Sequence, residues 1–177
     1  METIDAIQNR RSIRKYKDDE VSKELIEDIL NCGRLVPSAK NRQPWYFVVT
    51  NVSLKDKIAD LMIKYTNKDN IGSIRNTANI IKEAPYLILI FRNREDWWDI
   101  GDNLSIGACI QNMCLRAVEL NLGSLWIRDT YCVEDKIAEL VNEDRKLVCA
   151  LSIGYANSNS KGANKKNLEE IIKWMIE

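Results

Sequence analysis

Basic side chains and a serine are concentrated near the N-terminus, in the run NRRSIRKY, at Arg10, Arg11, Ser12 and Arg14. A phosphate monoester carries close to two negative charges, so guanidinium groups, a hydroxyl and main-chain N–H groups are the donors that bind it best. The run therefore indicates a phosphate site, with a solvated basic turn as the alternative. Further cations lie near the C-terminus, at Lys161, Lys165 and Lys166, where a solvated basic stretch is again the alternative.

A second group of polar side chains lies between two prolines, in residues 37–45 (PSAKNRQPW). Ser38, Asn41 and Gln43 supply short polar groups that can hydrogen-bond the edge of a heterocycle, and Trp45 supplies a flat apolar wall. The loop therefore indicates a site for a planar ligand. The alternative is a structured loop that a core tryptophan anchors.

The sequence contains no histidine, which removes the commonest general base and the commonest metal ligand together. Hydrolysis by a Ser-His-Asp or Cys-His arrangement is excluded, as are zinc and haem sites with histidine ligands. The five cysteines are odd in number and lack the C-x-x-C spacing of a zinc site, so we expect reduced thiols and no metal. We identify no catalytic acid or base; the chemistry is either carried by a cofactor or absent.

Size and charge narrow the class of protein. The 177 residues fit one domain, residues 1–177, and 26 basic residues balance 26 acidic ones. Nucleic acids and membrane surfaces both favour a basic excess in their partners, so we expect neither. No apolar run approaches the roughly 20 residues of a membrane-spanning helix, and we expect no targeting segment. The prediction is a cytoplasmic protein that acts on a small molecule.

Periodicity and capping signals predict helices and strands in alternation. The predicted helices are residues 3–10, 22–35, 54–65, 78–83, 99–121, 134–141 and 168–175, and the predicted strands are residues 46–50, 86–91, 124–128 and 147–155. The first two strands are predicted to be buried, and the second is predicted to lie in the middle of a sheet. Residues 66–76 are predicted to form a polar loop. Ser53 is the predicted N-cap of the third helix and Gly123 the predicted C-cap of the longest. Strands separated by helices predict an α/β or α+β sandwich.

Several segments follow one another in an order that resembles the nitroreductase family of FMN proteins. That family opens with a helix followed by R-R-S-x-R-x-[FY], here Arg10 to Tyr16, and continues with P-S-x-x-N-x-Q-P-W, here Pro37 to Trp45. A strand after Ala84-Pro85 follows, then a long helix that carries Gln111-Asn112, and then G-x-x-W-I, here Gly123 to Ile127. The resemblance is collinear over nearly the whole chain.

The resemblance implies an α+β fold, a nitroreductase-like α/β/α sandwich around a central mixed, mainly antiparallel sheet. It also implies an obligate homodimer with FMN at the subunit interface. By position in the motifs, the phosphate and ribityl end of FMN would contact Arg10, Arg11, Ser12 and Lys165. Arg14 would lie by the N1/O2 edge of the flavin, where a fixed cation favours hydride uptake.

The same resemblance implies which residues surround the flavin ring. The partner subunit would contribute Pro37, Ser38, Ala39 and Asn41. Ile127 and Arg128 would lie close to the ring, near its N5 atom. Arg128 stands where the family often has glycine, so its side chain either intrudes at the ring or points away. Trp97 and Trp98 are candidates for stacking on a substrate; one core and one surface tryptophan at the start of the long helix is the alternative.

The activity that the resemblance implies is that of an FMN-dependent oxidoreductase. It would take hydride from NADH or NADPH and reduce a small organic acceptor, such as a nitroaromatic or a quinone, by a ping-pong mechanism. One alternative is another flavin reaction on the same fold, such as reductive dehalogenation or dehydrogenation. The other is a non-catalytic flavin-binding protein, which would not oxidise NAD(P)H in the presence of an acceptor.

Overall fold

The structure, a computed structural model, describes residues 1–66, 71–94, 97–158 and 160–176. Its helices are α1 (Thr3–Asn9), α2 (Lys23–Arg34), α3 (Val52–Tyr65), α4 (Ile71–Glu83), α5 (Asp99–Glu119) and α6 (Glu134–Leu140). Its strands are β1 (Tyr46–Val49), β2 (Tyr86–Arg92), β3 (Gly123–Ile127) and β4 (Lys146–Gly154). Short 3-10 turns cover Ala39–Asn41, Asp129–Val133 and Leu168–Glu170. None of the described helices is long and apolar enough to cross a membrane.

The four strands form one sheet in the order β1-β2-β4-β3, and every pair of neighbours is antiparallel. β2 lies inside the sheet as predicted, with six of its seven residues buried. The prediction that the first strand is buried is wrong: β1 is an edge strand, and Tyr46 and Val49 are exposed. An edge strand is paired on one side only, so solvent reaches it. In the described part of the chain, the parallel element is the isolated bridge between Ser12 and Ser124.

Helices cover both faces of the sheet, and the side chains of β2 show how. Leu87, Leu89 and Phe91 pack in a cluster with α3, α4 and α6, while Ile88 and Ile90 pack in a second cluster with α2 and α5. Alternate residues of a strand point to opposite faces. A strand that is apolar throughout is therefore one that is covered on both faces. The arrangement confirms the α/β/α sandwich that the sequence predicts.

Two predicted boundaries around α3 and α4 are wrong. The N-cap of α3 is Asn51, whose side-chain oxygen accepts a main-chain N–H from the first turn at 2.8 Å, and the predicted cap Ser53 lies inside the helix. α4 begins at Ile71, within the predicted polar loop, because Ile74 joins the buried cluster beside α3. Residues 67–70 of that predicted loop lie outside the described part of the chain.

The end of α5 also differs from the prediction. The chain turns at Asn121, whose φ of 59° lies in the left-handed region that asparagine tolerates better than most residues. Gly123 is the first residue of β3, and a β-carbon there would lie 2.6 Å from Cγ1 of Ile13. Close packing against Ile13 is therefore the reason that residue 123 has no side chain. The turn, which lies at Asn121, is not the reason.

The predicted helix over residues 168–175 is wrong as well. Only the 3-10 turn forms, with a reciprocal cap between Asn167 and Glu170. The apolar side chains beyond this turn are exposed, at Ile171, Trp174, Met175 and Ile176. A short helix owes its stability to the packing of its apolar face, and the described part of this chain offers no cover for that face.

The five cysteines differ in burial, and we expect their reactivity to follow. Cys109, Cys114 and Cys149 are buried, Cys32 is half-buried and Cys132 is exposed. Burial raises the pKa of Cys109 and of Cys149 to about 12, and a thiol reacts with a disulfide reagent only as the thiolate. Ellman's reagent should therefore label the native protein at Cys132 first, and all five thiols only in denaturant. Peptide mass spectrometry checks the order; rapid labelling of a buried cysteine in the native protein would contradict it.

Candidate functional site

The run Arg10–Tyr16 lies along the outer edge of β3. The main-chain N–H of Ile13 donates to the carbonyl of Ser124 at 2.9 Å, which attaches the run to the strand. Tyr16 fixes the other end of the run: its buried hydroxyl lies 2.8 Å from Oγ of Ser152. Burial raises the pKa of Tyr16, so the hydroxyl stays protonated and hydrogen-bonded. Packing therefore holds the run in place and leaves its arginines at the surface.

The C-terminal tail meets this run at Arg11. A β-carbon on Gly162 would lie 3.0 Å from Nε of Arg11, so the tail passes directly over the guanidinium group. Arg11 also donates to the carbonyls of Gln8 and Arg10, which satisfies main-chain groups at the end of α1. Lys165 follows on the same tail and is exposed. The tertiary fold thus brings the C-terminal tail to the N-terminal run at Gly162, and the contact of Lys165 with FMN stays a prediction.

A cleft of about 380 Å³ opens between the run and the tail. Polar groups in its walls come from Asn9, Arg11, Asn121, Ser158 and Ser160. A guanidinium group, hydroxyls and amides are donors that suit a phosphate monoester and a chain of hydroxyl groups. Among the described residues that line the cleft, Arg11 is the one predicted phosphate contact, and the donor types beside it fit the phosphate and ribityl end of FMN. In the described part of the chain, no group of three or more cysteine, aspartate or glutamate side chains is arranged to hold a metal ion.

The loop of residues 37–45 is held on the first turn of α5. Arg42 forms an ion pair with Asp102, which is only 2% exposed, with Nη2 to Oδ2 at 3.2 Å. The charged groups of Lys40 and Arg42 lie 5.0 and 5.6 Å from the ring centre of Trp98, within cation–π distance. The loop is therefore fastened by charge pairs that sequence reasoning missed. Arg42 and Asp102 are 60 positions apart, and no local pattern connects them.

The same loop contains an unusual backbone. Lys40, Asn41 and Gln43 have φ angles of 51°, 55° and 48°, in the left-handed region. Strained backbone of this kind persists only where surrounding contacts impose it, and it is common in ligand-binding loops. One such contact is the N–H of Gln43, which donates to Oγ of Ser38 at 2.9 Å. Of the predicted ligand contacts in this loop, Ser38 is half-buried, and three are exposed: Pro37, Ala39 and Asn41.

The residues predicted to lie by the flavin ring are at the end of β3. The side chain of Ile127 is buried in the cluster beside α6, so only its main chain could contact a ligand. The side chain of Arg128 is 79% exposed and lies over the ring of Tyr131, 5.2 Å from its centre. Arg14 is exposed too, and it donates to the carbonyl of Ser12 at 3.2 Å.

The structure does not bring the two main motifs together within one chain. The loop is fastened to the first turn of α5, whereas the arginine run packs against Gly123, just beyond the last turn. α5 contains 21 residues, and at 1.5 Å per residue it is about 30 Å long. Among the described residues, no hydrogen bond or ion pair joins the run to the loop.

Residues 7–155 match the sequence profile of the nitroreductase family. The chain belongs to the nitroreductase family. A protein of Methanothermobacter thermautotrophicus named as an NADH dehydrogenase/NAD(P)H nitroreductase is 32% identical over 143 residues, which cover 77% of this chain. The match spans 65% of the length of that relative.

Two further proteins resemble this chain, one named as a deiodinase and the other as a nitroreductase. The iodotyrosine deiodinase of Hydra vulgaris is 29% identical over 198 residues, covering 92% of this chain and 69% of that protein. The crystal structure of a protein from Desulfovibrio desulfuricans, named as a nitroreductase in complex with FMN, superposes with a TM-score of 0.83 at 28% identity. That superposition covers 99% of this chain and 98% of the other. The likeness confirms the predicted nitroreductase fold.

The two adjacent tryptophans occupy different environments in this nitroreductase fold. Trp97 is 94% exposed, so its ring is open to a ligand. Trp98 is half-buried, and its ring already contacts the charged groups of Lys40 and Arg42. Trp98 therefore holds the loop in place. Substrate binding by either tryptophan stays a prediction.

Gly123 links the packing of the nitroreductase fold to the arginine run, so its replacement should affect both. In Gly123→Ala the new methyl group would meet Ile13 at 2.6 Å, and overpacking of this kind costs about 1–3 kcal/mol. We expect a lower midpoint of urea unfolding and weaker FMN binding, because Ile13 carries the run. Gly72→Ala is the control, since a β-carbon there meets nothing within 4 Å. Equal stability of the two variants would contradict the prediction.

Proposed function

We propose that the chain is an FMN-dependent oxidoreductase that reduces a small organic acceptor with electrons from NADH or NADPH. The observation that supports this best is the meeting of the C-terminal tail with Arg11 at Gly162, beside the run that is attached to β3. This contact supports the proposal because it brings the tail to Arg11, whose guanidinium group is a donor of the kind that a phosphate favours. Relatives named as NAD(P)H nitroreductases, and the FMN complex of the structural neighbour, support the same proposal.

The roles of the residues follow from where they lie. FMN, when bound, supplies the chemistry of accepting a hydride and releasing electrons. Arg10, Arg11 and Ser12 would hold its phosphate, Lys165 would add a cation from the tail, and Arg14 would lie at the edge of the ring. The carbonyl of Ser124 points away from β4, since it accepts the N–H of Ile13.

The outer edge of β3, beyond the bridge to the run at Ser124, offers main-chain groups for the ring. Hydrogen-bonding directions alternate along a strand, so Trp126 presents its main-chain groups to the same outer edge as Ser124. Arg128 is two positions further on, and its main-chain N–H would follow the same alternation. This edge is where the ring of FMN would lie, with Ile127 and Arg128 beside it. The chain contains no histidine, so we assign no catalytic acid or base, and the protons would come from water.

We propose further that two chains form each site as a homodimer. The loop and the run lie at opposite ends of α5, and a symmetric dimer that pairs α5 with its copy would place the loop of one subunit beside the run of the other. Apolar side chains are exposed on α1 and α5, at Ile4, Ile7, Ile100 and Leu104. Exposed apolar side chains of this kind are typical of a protein interface. The cytoplasmic location and the single domain stay predictions.

The visible spectrum of the purified protein tests the proposed function. We expect a flavin spectrum, a released chromophore identified as FMN, bleaching by NADH or NADPH, and recovery when a quinone or a nitroarene is added. A colourless protein that takes up no added FMN would overturn the proposal. A flavin that neither donor reduces would leave a flavin-binding protein in place of an enzyme.

Reductive dehalogenation is the second candidate function, because the Hydra vulgaris relative is named as an iodotyrosine deiodinase. Release of iodide from 3-iodotyrosine by the reduced holoprotein, measured beside quinone reduction, compares the two reactions directly. Faster turnover of the iodinated compound would favour dehalogenation over the reductase activity.

A further inference from the structure

A cleft of about 400 Å³ opens at the end of the sheet where β2 and β3 finish and β4 begins. Arg92, the last residue of β2, and Lys146, the first of β4, are paired across the sheet, and both line the cleft. Arg128 and Tyr131, which follow β3, form another wall. The volume is in the range of small-molecule sites. The cleft adjoins Ile127 and Arg128, where the reacting edge of the proposed flavin site lies.

Arg92 carries a buried donor without a partner. The side chain is 3% exposed, and its two terminal nitrogens bind the carboxylate of Asp99 at 2.6 and 2.7 Å. The remaining donor, Nε, is buried and has no hydrogen-bond partner among the described residues. Leaving a buried N–H of a charged group unpaired costs free energy, so such a group in the wall of a cleft indicates an acceptor that a ligand brings.

Arg128 adds a second guanidinium group whose donors are largely available. Its nearest carboxylate, that of Asp129, is 3.9 Å away, and an exposed pair at this distance is weak. Asp129 also accepts a hydrogen bond from Oγ1 of Thr77 at 2.9 Å, so its carboxylate already has another partner. Among the residues that line the cleft, Glu134 opposes the three cations. Since Asp99 is committed to Arg92, the open donors of the cleft belong to Arg128 and Lys146, while Nε of Arg92 is a buried donor without a partner among the described residues.

We propose that this cleft binds the carboxylate of an aromatic acid, which is the acceptor in the proposed reaction. The proposal rests on the proposed function, because it names the substrate class of the same site. Guanidinium groups match the geometry of a carboxylate and can bind both of its oxygens. Tyr131, which is 54% exposed and lies under Arg128, supplies an aromatic face for the ring of the acceptor. Arg128, at the position where the family often has glycine, would thus determine which acceptor binds.

The test compares two acceptors of the same shape in the FMN-loaded protein, 4-nitrobenzoate and its neutral counterpart 4-nitrobenzamide. In Arg128→Gln we expect the ratio of the two kcat/KM values, acid over amide, to fall about 10-fold, because one charge-assisted hydrogen bond to the acid is lost. Arg128→Lys should retain part of the preference. Arg34→Gln, an equal change of charge at an exposed position on α2, is the matched control and should leave the ratio unchanged.

Benzoate provides a readout that does not depend on turnover. Calorimetric titration should show benzoate binding to the wild-type protein and a Kd about 10-fold higher in Arg128→Gln, with no change in Arg34→Gln. Two results would overturn the proposal. One is an acid-to-amide ratio of kcat/KM values that is unchanged in Arg128→Gln, and the other is a Kd for benzoate that is unchanged in the same variant. A rise in KM for NADPH in Arg128→Gln, with an unchanged acid-to-amide ratio, would also overturn the proposal. It would show that the cleft binds the phosphates of the electron donor.

The two proposals fail in different ways. Reduction of 4-nitrobenzamide by the wild-type protein supports the proposed function whatever the cleft binds. If the wild-type protein does not reduce 4-nitrobenzamide but still binds benzoate through Arg128, the proposed reaction is rejected. The cleft would then remain assigned as a carboxylate site. Activity without benzoate binding would reject the cleft alone.

Discussion

Replacing Arg10 with alanine is expected to weaken FMN binding about 10- to 100-fold, the loss that removal of a charge-assisted hydrogen bond produces. Arg10 is half-buried at the end of α1 and is the first residue of the run attached to β3. Because its proposed partner is the phosphate, riboflavin, which lacks the phosphate, should bind almost equally to the variant and to the wild type. Quenching of flavin fluorescence on titration with the apoprotein measures both affinities.

The control for this variant is Arg34→Ala, which removes the same charge from the last turn of α2. Arg34 is exposed and donates to Oδ1 of Asn31 at 2.8 Å, and it belongs to neither motif. We expect its FMN affinity to equal that of the wild type. An equal loss of FMN and riboflavin in Arg10→Ala would show that Arg10 supports the fold. No loss of FMN would place the phosphate elsewhere.

Mixed dimers are expected to recover FMN binding that neither parent variant retains. One parent carries Arg10→Ala with Arg14→Ala, and the other carries Ser38→Ala with Asn41→Ala. In a symmetric dimer that shares its sites, the mixed species has one site with both defects and one with none, so it should hold about half of the wild-type FMN. Co-expression with two different affinity tags, sequential purification and the flavin absorbance per chain measure this fraction.

Each parent variant, co-expressed with a differently tagged copy of itself, controls for this experiment. These homodimers should pass the same two purification steps and remain without flavin. Recovery of binding in the mixed dimer alone would support the proposal that the loop and the run of one site come from different chains. Mixed dimers without flavin would contradict it, and so would variants that keep their FMN as monomers, because each chain would then hold a complete site.

The family and most of the fold follow from local patterns in the sequence. The apolar run of β2 predicts a strand that is covered on both faces, and its alternating contacts with α3 and α5 confirm that prediction. The arginine run and the loop of residues 37–45 are collinear with the family motifs, and the match over residues 7–155 confirms the family. These features are readable because hydrophobic periodicity and short motifs depend on neighbouring residues alone.

Other features depended on contacts between distant parts of the chain. Only the sheet order shows that β1 is an edge strand, and only the packing of Ile13 explains why residue 123 is glycine. The pairing of Arg42 with Asp102 has no signal in the sequence, because 60 residues separate the partners.

For the site itself, the sequence determined which residue types are present, and the tertiary structure decided where they lie. The motif residues Arg11 and Asn41 are both readable from the sequence, yet the fold places their segments at opposite ends of α5. The unpaired Nε of Arg92 and the cleft that it shares with Arg128 are visible only in three dimensions. The physical reason is that burial, pairing and enclosure are properties of a packed arrangement, and residues that are remote in sequence create them together.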